Sequence, residues 1–259
     1  MTRMQPGRPA VEVAGLRKTY GQGETEVRAL DGVDLRIEHG DYVAIMGASG
    51  SGKSTIMNII GCLDVGTSGL YRLDGIDVRR LNDRQLSLVR NRKIGFVFQN
   101  FNLIARTTAQ RNVELPLAYG GVRSAERARR ASVALAKVGL SDRAAHVPSE
   151  LSGGQQQRAA VARAIVTEPV LLLADEPTGA LDSHSTVDVL ALFDDVAASA
   201  RTVVVITHED QVARHAKRII HMSDGRIVSD ARQVDVHAPP PRWHGPDADA
   251  ASAVQVRAT

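Results

Sequence analysis

Four short apolar runs limit the folds open to this chain more than any other feature. They are Tyr42-Val43-Ala44-Ile45-Met46, Ile94-Gly95-Phe96-Val97-Phe98, Val170-Leu171-Leu172-Leu173-Ala174 and Thr202-Val203-Val204-Val205-Ile206. Consecutive strand residues point to opposite faces, so a strand without polar alternation must be covered on both sides. Longer amphipathic stretches separate the runs, which predicts an α/β fold with a parallel sheet between helical layers. Nearer the N-terminus, Val11 to Val13 and Val33 to Ile37 alternate instead, as half-buried antiparallel strands do. Helices are expected from Ser54 to Gly61, from Ser124 to Val138 with Gly139 as the closing glycine, and from Gln155 to Thr167, just before Pro169. A further helix is expected from Ser185 to Ala200, capped by Asp182 or Ser183. Residues 101 to 150 show no strand pattern and read as a helical insert, and no internal repeat is present.

A chain of 259 residues with 43% hydrophobic and 24% charged side chains is too apolar to be disordered and long enough for one large α/β domain or two small ones. Aromatics are only 3%, so aliphatic residues and Ala must fill the core. The net charge of +3 is small, and only five of the 32 basic residues are Lys. The clusters Arg127-Ala128-Arg129-Arg130 and Arg90-Asn91-Arg92-Lys93 therefore read as solvated faces, and no nucleic-acid partner is expected. Nowhere do about 18 uncharged apolar residues run together, and the polar stretch Met1 to Pro9 is not a secretory signal. The single Cys62 cannot form an internal disulfide; it suits a reducing cytoplasm and reads as a small buried hydrophobe without a redox role. From Gln233 to Thr259 the composition turns to Pro, Ala, Asp and Ser, as in a disordered tail.

Gly47-Ala48-Ser49-Gly50-Ser51-Gly52-Lys53-Ser54-Thr55 fits the phosphate-binding pattern G-x-x-x-x-G-K-[ST], directly after one apolar run and at the start of a helix. The glycines let successive backbone N–H groups face a phosphate chain, and the helix N-terminus adds its dipole. Lys53 neutralises phosphate charge, and the Ser54 hydroxyl is placed for Mg²⁺. The four fixed positions recur by luck in roughly 1% of chains this long. This is a nucleoside-triphosphate site, although the motif alone does not choose among kinases, GTPases, helicases and transporter ATPases.

A second apolar run ends in Asp175-Glu176. Asp175 suits Mg²⁺, directly or through water, and Glu176 suits a general base for the attacking water. Two adjacent acids also suit a simple cap on the turn into Pro177. Leu151-Ser152-Gly153-Gly154-Gln155, continuing as Gln156-Gln157-Arg158, chooses between these readings, because it resembles the signature motif of ATP-binding-cassette (ABC) ATPases.

The remaining motifs of that family have matches in order over residues 11 to 230. Tyr20 resembles the aromatic residue that stacks on adenine. Gln99 resembles the Q-loop glutamine that touches Mg²⁺ and senses the membrane partner. Gly179-Ala180-Leu181-Asp182 resembles the D-loop, with Gly179 where Ser is commoner. His208 resembles the switch histidine on the γ-phosphate. The resemblance implies a P-loop NTPase of the ABC ATPase fold over residues 10–232, with a RecA-like core, an antiparallel β subdomain and a helical subdomain at about 101–155. It implies ATP and Mg²⁺ as ligands, with Ser54, Gln99 and Asp175 on the metal and Glu176, His208 and Gln99 in the chemistry. It also implies a head-to-tail homodimer in which each signature meets the γ-phosphate held by the opposite P-loop.

Within the family, Asn58 to Asp64, Thr67-Ser68-Gly69, Leu73-Asp74-Gly75, Arg90-Asn91, Phe101-Asn102-Leu103 and Asn112 to Leu117 resemble one branch. It holds macrolide exporters, lipoprotein-releasing ATPases, antimicrobial-peptide exporters and a cell-division ATPase, each driving a four-helix permease with a large extracytoplasmic domain. Arg111 departs from that branch, which usually has Glu there. The expected place is the cytoplasmic face of the membrane, held peripherally by a permease. Regulation of an extracytoplasmic hydrolase through a permease is a second reading. A soluble ABC ATPase acting on ribosomes or DNA is a third, but the chain has one P-loop and one signature about a hundred residues apart, without heptads between them. The cluster Asn100-Phe101-Asn102-Leu103-Ile104 fits either core filling or a groove for a coupling helix.

Overall fold

A computed structural model of the chain describes residues 8–233, so the expected tail beyond Gln233 lies outside the described residues. β1 (Val11–Tyr20) and β2 (Val27–Ile37) form an antiparallel hairpin, with Val11 opposite Ile37 and Tyr20 opposite Val27. β3 (Tyr42–Met46) runs through the glycine-rich loop into α1 (Lys53–Ile60). β4 (Ser68–Leu73) and β5 (Ile76–Asp77) complete a four-stranded sheet in the order β2-β1-β4-β5. α2 (Asp83–Lys93), opened by a reciprocal cap between Asn82 and Gln85, leads into β6 (Ile94–Phe98). α3 (Ala109–Tyr119), α4 (Ser124–Lys137) and α5 (Gly153–Ile165) follow before β7 (Leu171–Asp175). α6 (Ser183–Ala198), β8 (Thr202–Ile206), the short α7 (Asp210–Ala213) and the hairpin of β9 (Arg218–Ser223) and β10 (Arg226–Arg232) complete the described chain.

The second sheet has the order β10-β9-β3-β8-β7-β6, parallel throughout except for β10 on the edge. Its strands divide their side chains between two cores, as a period of two requires. Ala44, Leu172, Ala174, Val203 and Val205 pack with Leu117, Leu135, Ala159 and Phe193 of α3 to α6. Val43, Ile45, Leu171, Leu173 and Val204 pack on the other side with α1 and the antiparallel sheet, through Ile56, Ile60, Leu35 and Tyr71. Each fully buried Leu or Val contributes about 1.5–3 kcal/mol.

The structure selects Asp182 over Ser183 as the α6 cap, its carboxylate accepting the Ser185 N–H at 2.9 Å. Gly139 follows α4 at φ +68°, and the Leu140 N–H reaches back to Leu135 O at 2.9 Å, a glycine-closed helix end. No strand lies within 101–150. Four residues of the basic clusters are paired within the chain: Arg129 and Arg130 both meet Glu126, Lys93 meets Asp74, and Arg90 donates to Cys62 O. Cys62 is buried, and burial pushes its thiol up to about 11, in keeping with an inert side chain.

Candidate active site

The carboxyl ends of the parallel strands open onto a cleft of about 1100 Å³, the usual place for a ligand on an open α/β sheet. β3 delivers the glycine-rich loop, β6 Gln99, β7 Asp175 and Glu176, and β8 His208, while Tyr20 at the end of β1 closes the rim. Gly47, Gly50 and Gly52 adopt φ of +152°, +79° and +100°, which L side chains rarely reach. A Cβ on Gly52 would lie 2.7 Å from Ala29 O, and one on Gly47 would run into Met222 O and the Ser51 hydroxyl. Ser51 is buried under the loop, whereas Ala48, Ser49 and Ser54 are exposed along it.

No side chain caps the start of α1, so its first N–H groups remain for an anion. Lys53 Nζ donates to Gly47 O and Ala48 O at 2.7 Å each, which braces the loop and holds the ammonium in the cleft. A glycine loop with three positive φ angles, beside an ammonium, the exposed Ser54 and the uncapped start of α1, fits a triphosphate. The oxygen donors of Ser54, Gln99 and Asp175 line the same cleft and suit a hard cation such as Mg²⁺.

Glu176 takes φ +43°, an unfavourable backbone for a long side chain, and its N–H donates to Ile206 O at 2.9 Å. Its carboxylate accepts from His208 Nδ1 at 2.7 Å and from the buried Thr207 hydroxyl at 3.2 Å. Two residues with separate sequence readings, base and γ-phosphate contact, thus form one pair. The hydrogen bond to Glu176, then its charge, raises His208 above its ordinary 6.5. Burial, then the Glu176 charge, raises Asp175, and Lys53 opposes both.

A raised histidine stabilises the fold fully below its ordinary range and loses that contribution as pH rises through the raised value. An NMR titration of the His208 ring should therefore give a midpoint above 6.5, falling back toward it in Glu176→Gln. An unchanged midpoint in the variant would rule the pair out.

Gln99 is exposed in the cleft, and a Cβ on Gly179 would come within 2.7 Å of its Nε2. Glycine at position 179 therefore leaves room for the Gln99 amide. The signature stands apart: none of Leu151, Ser152, Gly153, Gly154 and Gln155 lines the cleft. Ser152 and Gln155 cap α5 reciprocally, with Gln155 N–H to Ser152 Oγ at 3.3 Å and Ser152 N–H to Gln155 Oε1 at 3.0 Å. A Cβ on Gly154 would collide with Ser185, whose N–H and hydroxyl both serve Asp182. Residues 151–155 and Asp182 thus pack together, outside the cleft of the glycine-rich loop.

Two side chains of α5 had no assigned role in the sequence reading. Gln157 is fully buried and donates to Pro177 O at 2.5 Å and Phe98 O at 3.3 Å, holding the backbone next to Glu176 and Gln99. Arg163 donates to Phe101 O at 2.9 Å and Asn102 O at 2.5 Å, across a turn in which both residues have positive φ.

Beside that turn lies an apolar cleft of about 810 Å³, lined by Leu88, Leu115, Pro116, Tyr119 and Ile104 among others. Ile104 is 47% exposed and Tyr119 77%. Leu103 instead packs against the helical-side core, so the cluster after Gln99 is divided between core and cleft.

A family model described as ABC transporter matches residues 30–179. The uncharacterized ABC transporter ATP-binding protein YknY of Bacillus subtilis is 54% identical over 218 residues, 84% of this chain and 95% of its own length. The macrolide export ATP-binding/permease protein MacB of Hyphomonas neptunium is 52% identical over 223 residues, 86% of this chain. This chain spans only 35% of that longer relative. Among solved structures, a dimeric post-hydrolysis state of the ATP-binding cassette MJ0796 bound to ADP and Pi superposes with a TM-score of 0.78. It is 46% identical, covering 86% of this chain and 98% of that one. With the P-loop, paired carboxylates and signature in place on the same fold, the chain belongs to the ABC transporter family, as one of its ATP-hydrolysing cassettes.

Proposed function

We propose that this chain is the ATP-binding and hydrolysing part of an exporter-type ABC transporter, paired with a second copy of itself around two ATP molecules and driving a membrane permease. The observation that carries this reading is the separation of P-loop cleft and capped signature on one chain. A chain with both parts, neither able to serve the other, makes two complete sites when two copies pair head to tail. The relative MJ0796 is dimeric in its solved structure, and the MacB relative carries ATP-binding and permease parts in one name.

In the proposed site the loop amides and Lys53 hold the β- and γ-phosphates, and Tyr20 stacks on the base. Ser54, Gln99 and Asp175 would hold Mg²⁺, which when bound neutralises charge on the phosphate oxygens. Glu176, oriented by Thr207 and His208, draws a proton from water in line with the γ-phosphate. His208 turns from Glu176 toward the phosphate as that charge moves, and the second copy supplies Leu151 to Gln155 and Asp182. A bound cation would oppose the burial and the Glu176 charge that raise the Asp175 carboxyl.

No helix among the described residues is long and apolar enough to cross a membrane. Attachment at the cytoplasmic face is accordingly proposed to run through the permease, with the Ile104–Tyr119 cleft taking a short coupling helix by its apolar anchors. Gln157 and Arg163 tie this cleft and Gln99 to the signature helix, so closure of the dimer moves the docked helix. Ile104→Asp should keep ATP binding and the melting temperature but move the chain from the membrane to the soluble fraction of cells. If the folded variant stays with the membranes, the permease docks elsewhere.

A further inference from the structure

Tyr20 is 42% exposed at the end of a strand, where an isolated aromatic ring has no fixed orientation. Here the ring is held from two directions. Lys18, two residues earlier and so on the same strand face, places Nζ 4.8 Å from the ring centroid, within cation–π range. The same ammonium donates to Asp64 Oδ1 at 2.6 Å and to Val65 O at 2.9 Å. Asp64 Oδ2 accepts the Tyr20 hydroxyl at 2.8 Å, so cation, carboxylate and phenol close a ring of three contacts. Burial works against the Asp64 charge, but hydrogen bonds from Lys18, Tyr20 and the Val65 N–H prevail and leave its carboxyl below the ordinary value.

Asp64 is itself fixed to the phosphate-binding helix. The Leu63 and Asp64 N–H groups both donate to Asn58 O of α1, at 2.8 and 3.1 Å, after a turn in which Cys62 takes φ +55°. A second tie runs from the Thr19 N–H to Thr67 Oγ1 at 3.0 Å. α1 therefore begins in the phosphate cradle and ends at the group that orients the Tyr20 ring.

We infer that Lys18 and Asp64 are positioning residues for the nucleotide base: they lock the Tyr20 ring to the far end of the P-loop helix, with Lys18 on one face and the other left for the base. The inference rests on the proposed stacking role of Tyr20. Neither residue touches the nucleotide; both act through the ring.

The test is a binding titration with two probes, ATP and inorganic tripolyphosphate, the second lacking a base. Tyr20→Ala should weaken ATP by about fivefold, the loss of one stacking contact, and leave tripolyphosphate unchanged. Asp64→Asn and Lys18→Met should each weaken ATP by about threefold, again sparing tripolyphosphate, and add nothing in the Tyr20→Ala background. Equal losses for both probes, full additivity with Tyr20→Ala, or wild-type ATP affinity in both variants would overturn the inference. If Tyr20→Ala itself leaves ATP affinity unchanged, the stacking role fails first and takes the inference with it. Should Asp64→Asn lose the fold, Lys18→Met decides the matter on the same two probes.

Discussion

Glu176→Gln should bind ATP and not turn it over, with phosphate release falling by about 10²- to 10⁴-fold, the span a positioned general base contributes. The substitution keeps the length and planarity of the side chain. Its backbone bond to Ile206 O is untouched, and the Thr207 hydroxyl retains an oxygen to donate to. What disappears is the charge that accepts a proton and holds His208. ATP affinity depends on the loop amides and Lys53, none of which changes. A variant with normal binding but more than a tenth of wild-type turnover would remove Glu176 from the chemistry.

Lys53→Ala should abolish tight ATP binding, raising the dissociation constant by at least about 10²-fold. Each charge-assisted hydrogen bond to phosphate is worth about 1.5–3 kcal/mol, and at 1.4 kcal/mol per tenfold two of them account for that loss. The variant also removes the braces to Gly47 O and Ala48 O, so the loop loses shape as well as charge. The partners that lose a donor are exposed or half-buried, so the fold itself should survive. Titration with a fluorescent ATP analogue reads the effect directly, and normal binding would overturn the phosphate assignment.

The central strands were legible because both their faces are buried: Leu171 to Leu173 read as a continuous apolar run, and those residues feed two different cores. β9 and β10 escaped the same reading. Arg218 and His221 interrupt one, and the other is mostly exposed on the sheet edge. α2 has no buried residue to mark a helical period, and in α3, which buries Ala109, Asn112, Val113 and Leu117, Pro116 argues locally against a helix. At the site, the residues at strand ends could be read because phosphate chemistry demands those types at that spacing. Gln157, Arg163 and Asp64 could not, since their partners are backbone carbonyls or side chains of distant loops, and such pairings leave no local pattern. The split between Leu103 and Ile104 was likewise invisible: adjacent apolar residues in a turn have no period to say which faces inward.

The most direct measurement of the composite-site account is the mass of Glu176→Gln in saturating Mg-ATP, by light scattering in line with gel filtration. If each signature completes the opposite P-loop, blocking hydrolysis traps the pair, and the mass should be twice the 27.8 kDa of one chain, returning to one chain when the nucleotide is removed. A variant that binds ATP at full stoichiometry and still elutes at 27.8 kDa would contradict the account.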